Sequence, residues 1–417
     1  MDFRAKLGRL GAPPREAPAA APAPGAERSG TLEDLRRQMS EILGRAPAPR
    51  APPPDPTLGD LPFSREEGEG GPLHRRVVRH PRSHHVGRMP VDAALAAAPE
   101  VLALLGLDPA LAGADPSGAL YLDTETTGLG GAGTIAFLVG LASFEGGELV
   151  VEQLLLRTPA EELAMLHRIE ERLRAATLVV TFNGKAFDLP TLAGRWVMSR
   201  RAPPPPRPHL DLLHVARRLH RGRIGACTLK AVESEVLGFI RGEDIDGAEV
   251  ASRYGHYLRS GDPAALRAVV DHNAWDVVSM TALVGLYGEP LGALHGEDLV
   301  GLARTYRRAR ALDRAEEAAE AALSRGAGPE GLRVRGEIAR ARGDRQRALA
   351  EFEALSAVVD DARVRLELAK LYEHFVREPG RALDLVERGT GEKPTAAARR
   401  RARLVGKVRR SSGGGEG

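Results

Sequence analysis

The chain has 417 residues, enough for two or three domains, and its 43% apolar and 28% charged content is ordinary for globular proteins. Its net charge of +3 is uneven: residues 399–417 hold seven bases and one acid, leaving 52 bases against 55 acids elsewhere, so the balance does not mark a nucleic-acid-binding body. One cysteine, Cys227, excludes an intrachain disulfide and a cysteine-based zinc cluster. The longest apolar stretch, 134–144, is too short to span a bilayer, and the opening Met1-Asp2-Phe3-Arg4 shows no secretory signal. A cytoplasmic protein is expected.

Residues 1–72 read as a disordered Pro/Ala-rich leader, with twelve of the thirty prolines in the first 62 positions. Within it, residues 31–45 place Leu32, Leu35, Met39, Ile42 and Leu43 on one helical face. Such a segment is either a docking helix that folds on a partner or a transient helix without a role. Residues 73–88 hold five arginines, four histidines and no acid. They are open to two readings, a phosphate-facing patch or a solvated edge, with a strand around Arg76-Val77-Val78-Arg79.

Ala119-Leu120-Tyr121-Leu122 predicts a buried strand ending at Asp123. Residues 134–144 and 149–156 predict two more, joined by a Glu145-Gly146-Gly147-Glu148 turn. A helix over 161–175, a strand over 178–182 and a helix over 189–199 follow, then helices over 229–237, 248–259 and 263–287. That order describes an α/β layer fold with an antiparallel edge on a parallel core. Beyond Leu291 the pattern is all helical. Arg314-Ala315, Arg347-Ala348 and Arg381-Ala382 recur at a period near 34 residues, the spacing of tetratricopeptide helix pairs. Residues 393–417 read as a basic disordered tail.

Three motifs carry chemistry. Asp123 and Glu125, two apart on a strand, project to one face, where two carboxylates repel unless a cation lies between them. Asp188 follows Phe182-Asn183-Gly184-Lys185-Ala186-Phe187 and precedes Leu189-Pro190, which alone reads as a helix N-cap. His272 and Asp276 share a helix face amid Val269, Val270, Val277 and Val278, as on a helix packed beside a polar site. In this order and on these elements, Asp123, Glu125, Asp188 and Asp276 resemble the four carboxylates of the DEDD (DnaQ-like) 3′–5′ exonucleases of the ribonuclease H-like superfamily. The wording around them, with Thr228-Leu229-Lys230-Ala231-Val232-Glu233, is closer still to the bacterial YprB-like subgroup. The resemblance covers residues 73–290.

The resemblance implies a ribonuclease H-like mixed five-stranded sheet flanked by helices over 73–290, followed by an all-α tetratricopeptide-like array over 291–392. It implies two divalent ions, Mg²⁺ or Mn²⁺, with Asp123 bridging them and Glu125, Asp188 and Asp276 completing the cage. His272 becomes the general base, although it lies four residues before Asp276 where the histidine branch of the family has five. Thr126 and Leu129 take the positions of terminal-nucleotide contacts, with Asn183 beside them, whereas Asp211 reads as a structural cap. The expected activity is 3′–5′ hydrolysis of single-stranded DNA or RNA, with a protein partner on the array and no membrane. The alternatives are a catalytically idle nuclease-like scaffold and a ribonuclease H-type endonuclease.

Overall fold

The computed structural model describes residues 57–128, 133–242 and 244–412. The expected 31–45 helix and Leu129 lie outside them. Seven strands form one mixed sheet: β1 (Ser64–Gly68), β2 (Gly71–His80), β3 (Ala119–Thr126), β4 (Ala136–Glu145), β5 (Glu148–Leu155), β6 (Leu178–Thr181) and β7 (His209–Asp211). Their spatial order is β1-β2-β5-β4-β3-β6-β7. β3, β6 and β7 run parallel and the other pairings are antiparallel.

The continuous apolar run of β3 follows from cover on both faces of the sheet. Tyr121 packs into one apolar layer with Ala142 and Val151, while Leu120 and Leu122 pack into the other with Leu138 and Leu154. Each such fully buried side chain contributes about 1.5–3 kcal/mol. The β4–β5 hairpin turns at Gly146 and Gly147, whose φ values of 59° and 90° suit glycine.

The five-stranded expectation is corrected to seven, because β1 and β2 add a hairpin to the antiparallel edge. β1 also lies inside the expected leader, whose boundary at residue 72 is therefore too late. β2 lies between β1 and β5, and its arginines find partners on β5: Arg75 pairs with Glu152, Arg76 donates to Gln153, and Arg79 pairs with Glu148. These pairings within the sheet weigh against a phosphate-facing patch over residues 73–88, and the burial of His74 weighs against a plain solvated edge.

Helices α1 (Glu162–Ala175), α2 (Asp188–Met198), α3 (Leu212–Leu219) and α4 (Gly247–Ser260) flank the sheet, and α5 (Arg267–Gly288) crosses it. The array comprises α6 (Gly296–Arg308), α7 (Leu312–Ser324), α8 (Gly328–Arg342), α9 (Arg345–Val358), α10 (Ala362–Leu371) and α11 (Pro379–Glu387). The expected disordered tail is corrected over 394–412, which form helix α12. Its Arg403 and Lys407 hold the buried Glu373, and Arg400 holds Glu392, so part of the basic surplus is neutralised within the fold. Among the described residues no helix is long and apolar enough to cross a membrane.

Candidate active site

Asp123 and Glu125 stand on the same face of β3, near its carboxyl end. Asp123 pairs with Gly140 on β4, and Gly140 with Gln153 on β5. Gly140 leaves the middle of this row empty. Asn273 of α5 fills the gap: its Nδ2 donates to Asp123 Oδ2 at 2.9 Å, and its Oδ1 accepts from Gln153 Nε2 at 2.9 Å. Gln153 Oε1 in turn accepts from Arg76 at 2.7 Å. A Cβ at position 140 would lie 2.5 Å from Asn273 Oδ1. The glycine is thus required by the relay that fixes Asp123.

Asp188 opens α2 as its first helical residue, with Phe187 at the cap. The expected capping role is therefore corrected. Its Oδ1 instead accepts from the backbone N–H and the hydroxyl of Thr124, at 3.0 and 2.6 Å. Thr124 points to the opposite face from its neighbours Asp123 and Glu125, so one strand tripeptide both supplies two carboxylates and anchors a third.

On α5, His272 Nε2 lies 3.8 Å from Glu125 and 3.7 Å from Asp276. His272 Nδ1 lies 2.7 Å from Asp244 and 3.2 Å from Arg241 Nη1. The shorter contact places the proton on Nδ1, donated to Asp244, and leaves Nε2 as the acceptor facing the carboxylates. Arg241 forms a two-point ion pair with Glu233, both bonds 2.7 Å, and also donates to Asp276. Arg241 and Glu233 are both buried.

The electrostatics are those of a site short of positive charge. Burial, then repulsion from Asp276, Glu125 and Asp188, drives the Asp123 carboxyl well above the usual carboxylate range. Glu125 is pushed up to about 8, by burial and then by Asp276. Burial raises Asp188 to about 6 despite its two bonds from Thr124. Burial would lower His272, but Asp276, Asp244 and Glu125 outweigh it and the net shift is upward.

This donor set fits a hard divalent cation: carboxylate oxygens dominate, and relieving their repulsion is what such an ion does. Glu125, His272 and Asp276 each bring a ligand atom within 4.8 Å of the others. Asp123 and Asp188 stand beside this trio, turned toward Asn273 and Thr124.

The other expected residues are placed as follows. Thr126 is buried, its hydroxyl donated to the Gly128 carbonyl at 2.7 Å. Asn183 is exposed with φ 75°, and its N–H donates to Asp211 at 2.8 Å. Asp211 also accepts from Lys185 N and caps α3, as expected of a structural residue. Trp275 is half-buried, with the Arg241 guanidinium 5.8 Å from its ring centre. Sequence reasoning missed Thr124, Gln153, Asn273, Glu233, Arg241 and Asp244. Asn273 sits between His272 and Asp276, and Glu233 closes the run that begins at Thr228; Arg241 and Asp244 lie on a connecting loop where no periodicity points to them.

Residues 120–287 match the family model of the RNase_H superfamily. This stretch has a ribonuclease H-like fold. The uncharacterized protein YprB of Bacillus subtilis (strain 168) is 37% identical over 216 residues, which are 50% of this chain and 51% of YprB. The chain thus spans about half the length of that relative. A family B DNA polymerase from Pyrobaculum calidifontis overlaps 46% of this chain and 29% of its own, at 16% identity. Its TM-score of 0.32 is too low to bear on function.

Proposed function

We propose that this RNase H-like domain is a metal-dependent 3′–5′ exonuclease of single-stranded DNA or RNA. The observation that carries the reading is the convergence of Asp123, Glu125, Asp188 and Asp276 at one sheet end, three of them raised by burial and mutual repulsion. Mg²⁺ or Mn²⁺ held there would polarise the scissile phosphate and stabilise the leaving 3′-oxygen. Asn273 and Thr124 hold the Asp123 and Asp188 carboxylates in orientation. His272, with Nδ1–H fixed on Asp244, presents Nε2 to accept a proton from the attacking water. Arg241 screens Asp276 from its neighbours, and Glu233 keeps the guanidinium in place. The tetratricopeptide-like array then recruits a protein partner.

The test is a panel of 5′-labelled DNA and RNA strands, with free and blocked 3′ ends, incubated with Mn²⁺ or with EDTA. Stepwise shortening of free-ended strands by the wild type, absent in Asp123→Asn, is expected. Cleavage of 3′-blocked or circular strands makes the enzyme an endonuclease. No cleavage of any strand by wild type leaves the scaffold reading.

A further inference from the structure

A second charged site lies where the array meets the RNase H-like domain. A cleft of about 510 Å³ is lined by Arg218 at the end of α3, by Gly301, Arg304, Thr305, Arg307, Arg308 and Arg310 of α6 and its exit, and by Ala341 of α8. Five of these are arginines and none is an acid. Arg304 and Arg307 reach out to Glu330 and Glu337 of α8. Arg218 donates to the Leu105 carbonyl, a neutral acceptor. Arg308 and Arg310 are exposed and have no ion-pair partner among the described residues. Burial, then the charge of Arg308, lowers Arg218 from the usual arginine range, although Asp211 acts the other way. The cleft thus holds more arginines than Glu330 and Glu337 offset.

The cleft is also built rigidly. Gly301 lets α6 press onto the end of α3: a Cβ there would lie 2.6 Å from the carbonyl oxygens of Arg218 and Leu219. Next to it, buried Asp298 of α6 pairs with His220 at 3.0 Å and Arg223 at 2.9 Å, and His220 meets the Tyr287 hydroxyl at 3.0 Å.

We propose that this arginine cleft grips the phosphate backbone of the polynucleotide that the carboxylate site takes, making the array part of the substrate-binding surface. The inference rests on the nuclease reading for its ligand but not for its test. Phosphates supply the dense, repeating negative charge that unpaired guanidinium groups fit, with no base contact required.

Anisotropy of 5′-labelled oligothymidylate and oligouridylate, 30 nucleotides long, measures binding in EDTA across a salt series. Cleavage of the same strands is followed with Mn²⁺. Arg308→Ala with Arg310→Ala removes two exposed charges. Dissociation constants for both 30-mers should rise on the order of tenfold. The slope of log K against log salt should shrink by about 1.4, at about 0.7 for each phosphate no longer neutralised. Arg308→Lys with Arg310→Lys should retain the slope. An unchanged slope on the 30-mers overturns the cleft while leaving wild-type cleavage intact. Arginine-dependent binding by a wild type that cuts nothing keeps the cleft and removes the nuclease reading.

Discussion

The carboxylate site and the wide groove of the array both concentrate charge, and they treat it in opposite ways. At the sheet end Asp123, Glu125 and Asp188 are held above their ordinary range, because burial and repulsion find too little positive charge. In the groove of about 1070 Å³ among α6, α8 and α10, burial acts the same way on Glu330, Asp361 and Glu367, yet all three end below their ordinary range. Arg304 and Arg333 outweigh it at Glu330, the N–H groups of Arg363 and Val364 with Arg333 at Asp361, and Lys370 with Arg340 at Glu367. The groove has settled its charges internally and reads as architecture; the sheet end has not. The arginine cleft is the same imbalance with the sign reversed.

The largest effect expected is on Asp123→Asn, which keeps the shape and removes one negative charge. Activity should fall at least about a thousandfold, since metal-assisted charge stabilisation is worth several kcal/mol. In EDTA the same variant should melt higher than wild type, because repulsion is relieved. A lower melting temperature would make the carboxylates structural and erase the contrast with the groove.

Next comes Arg241→Leu. It strands the buried Glu233 without a partner, and breaking such a pair costs about 3–5 kcal/mol. Urea unfolding measures this, with Glu233→Gln in the same background expected to recover part of the loss. The pH dependence of the metal-free protein is smaller and has a definite sign. Glu125 titrates near 8 and Asp188 near 6 in the fold, against about 4.3 and 3.9 unfolded. Across that window the unfolded chain releases protons that the folded chain keeps, so stability falls as pH rises. Melting in EDTA should therefore drop from pH 5 to pH 8, and Mn²⁺ should flatten the drop; a rising curve would contradict the assigned shifts.

Gly140→Ala pushes a methyl group onto Asn273 and should cost about 1–3 kcal/mol, together with catalytic rate, through a displaced Asp123. The smallest effect belongs to the array. Arg342→Ala breaks a surface pair with Asp313 and should change stability by no more than about 1 kcal/mol. A larger loss would mean that the array's charge network acts as a unit.

Much of this was legible in advance where periodicity or spacing speaks. The apolar run before Asp123, the Gly146-Gly147 turn and the near-34 period of the helix pairs all named their elements. Of the β1–β2 hairpin, β2 was announced by Arg76-Val77-Val78-Arg79, whereas β1, Ser64-Arg65-Glu66-Glu67-Gly68, is an edge strand without the apolar alternation that announces one. Helix α12 was hidden for a related reason: a run of bases reads as solvated until Glu373 and Glu392 are seen to receive it. The candidate site divided in the same way. Its carboxylates stand in ordered motifs, whereas the parts that orient them meet across distant segments. Arg241 reaches Asp276 from 35 positions away, and Gln153 reaches Asn273 from 120. No local pattern records such meetings.

The seam at Gly301 also governs where the chain can be cut. A single apolar core runs from Val101 and Tyr287 into Leu299, Ala303, Ala318 and Ile338, so the RNase H-like body and the first helices of the array share an interior. The linker near residue 290 is therefore a poor place to divide the chain. An excised 73–290 fragment would carry a raw apolar wound where α6 had been, and the two regions should melt as one transition. Helices α9 to α12 close around a second apolar cluster that includes Phe352, Leu355, Leu368 and Leu404, whereas the first pair takes its interior from the RNase H-like body.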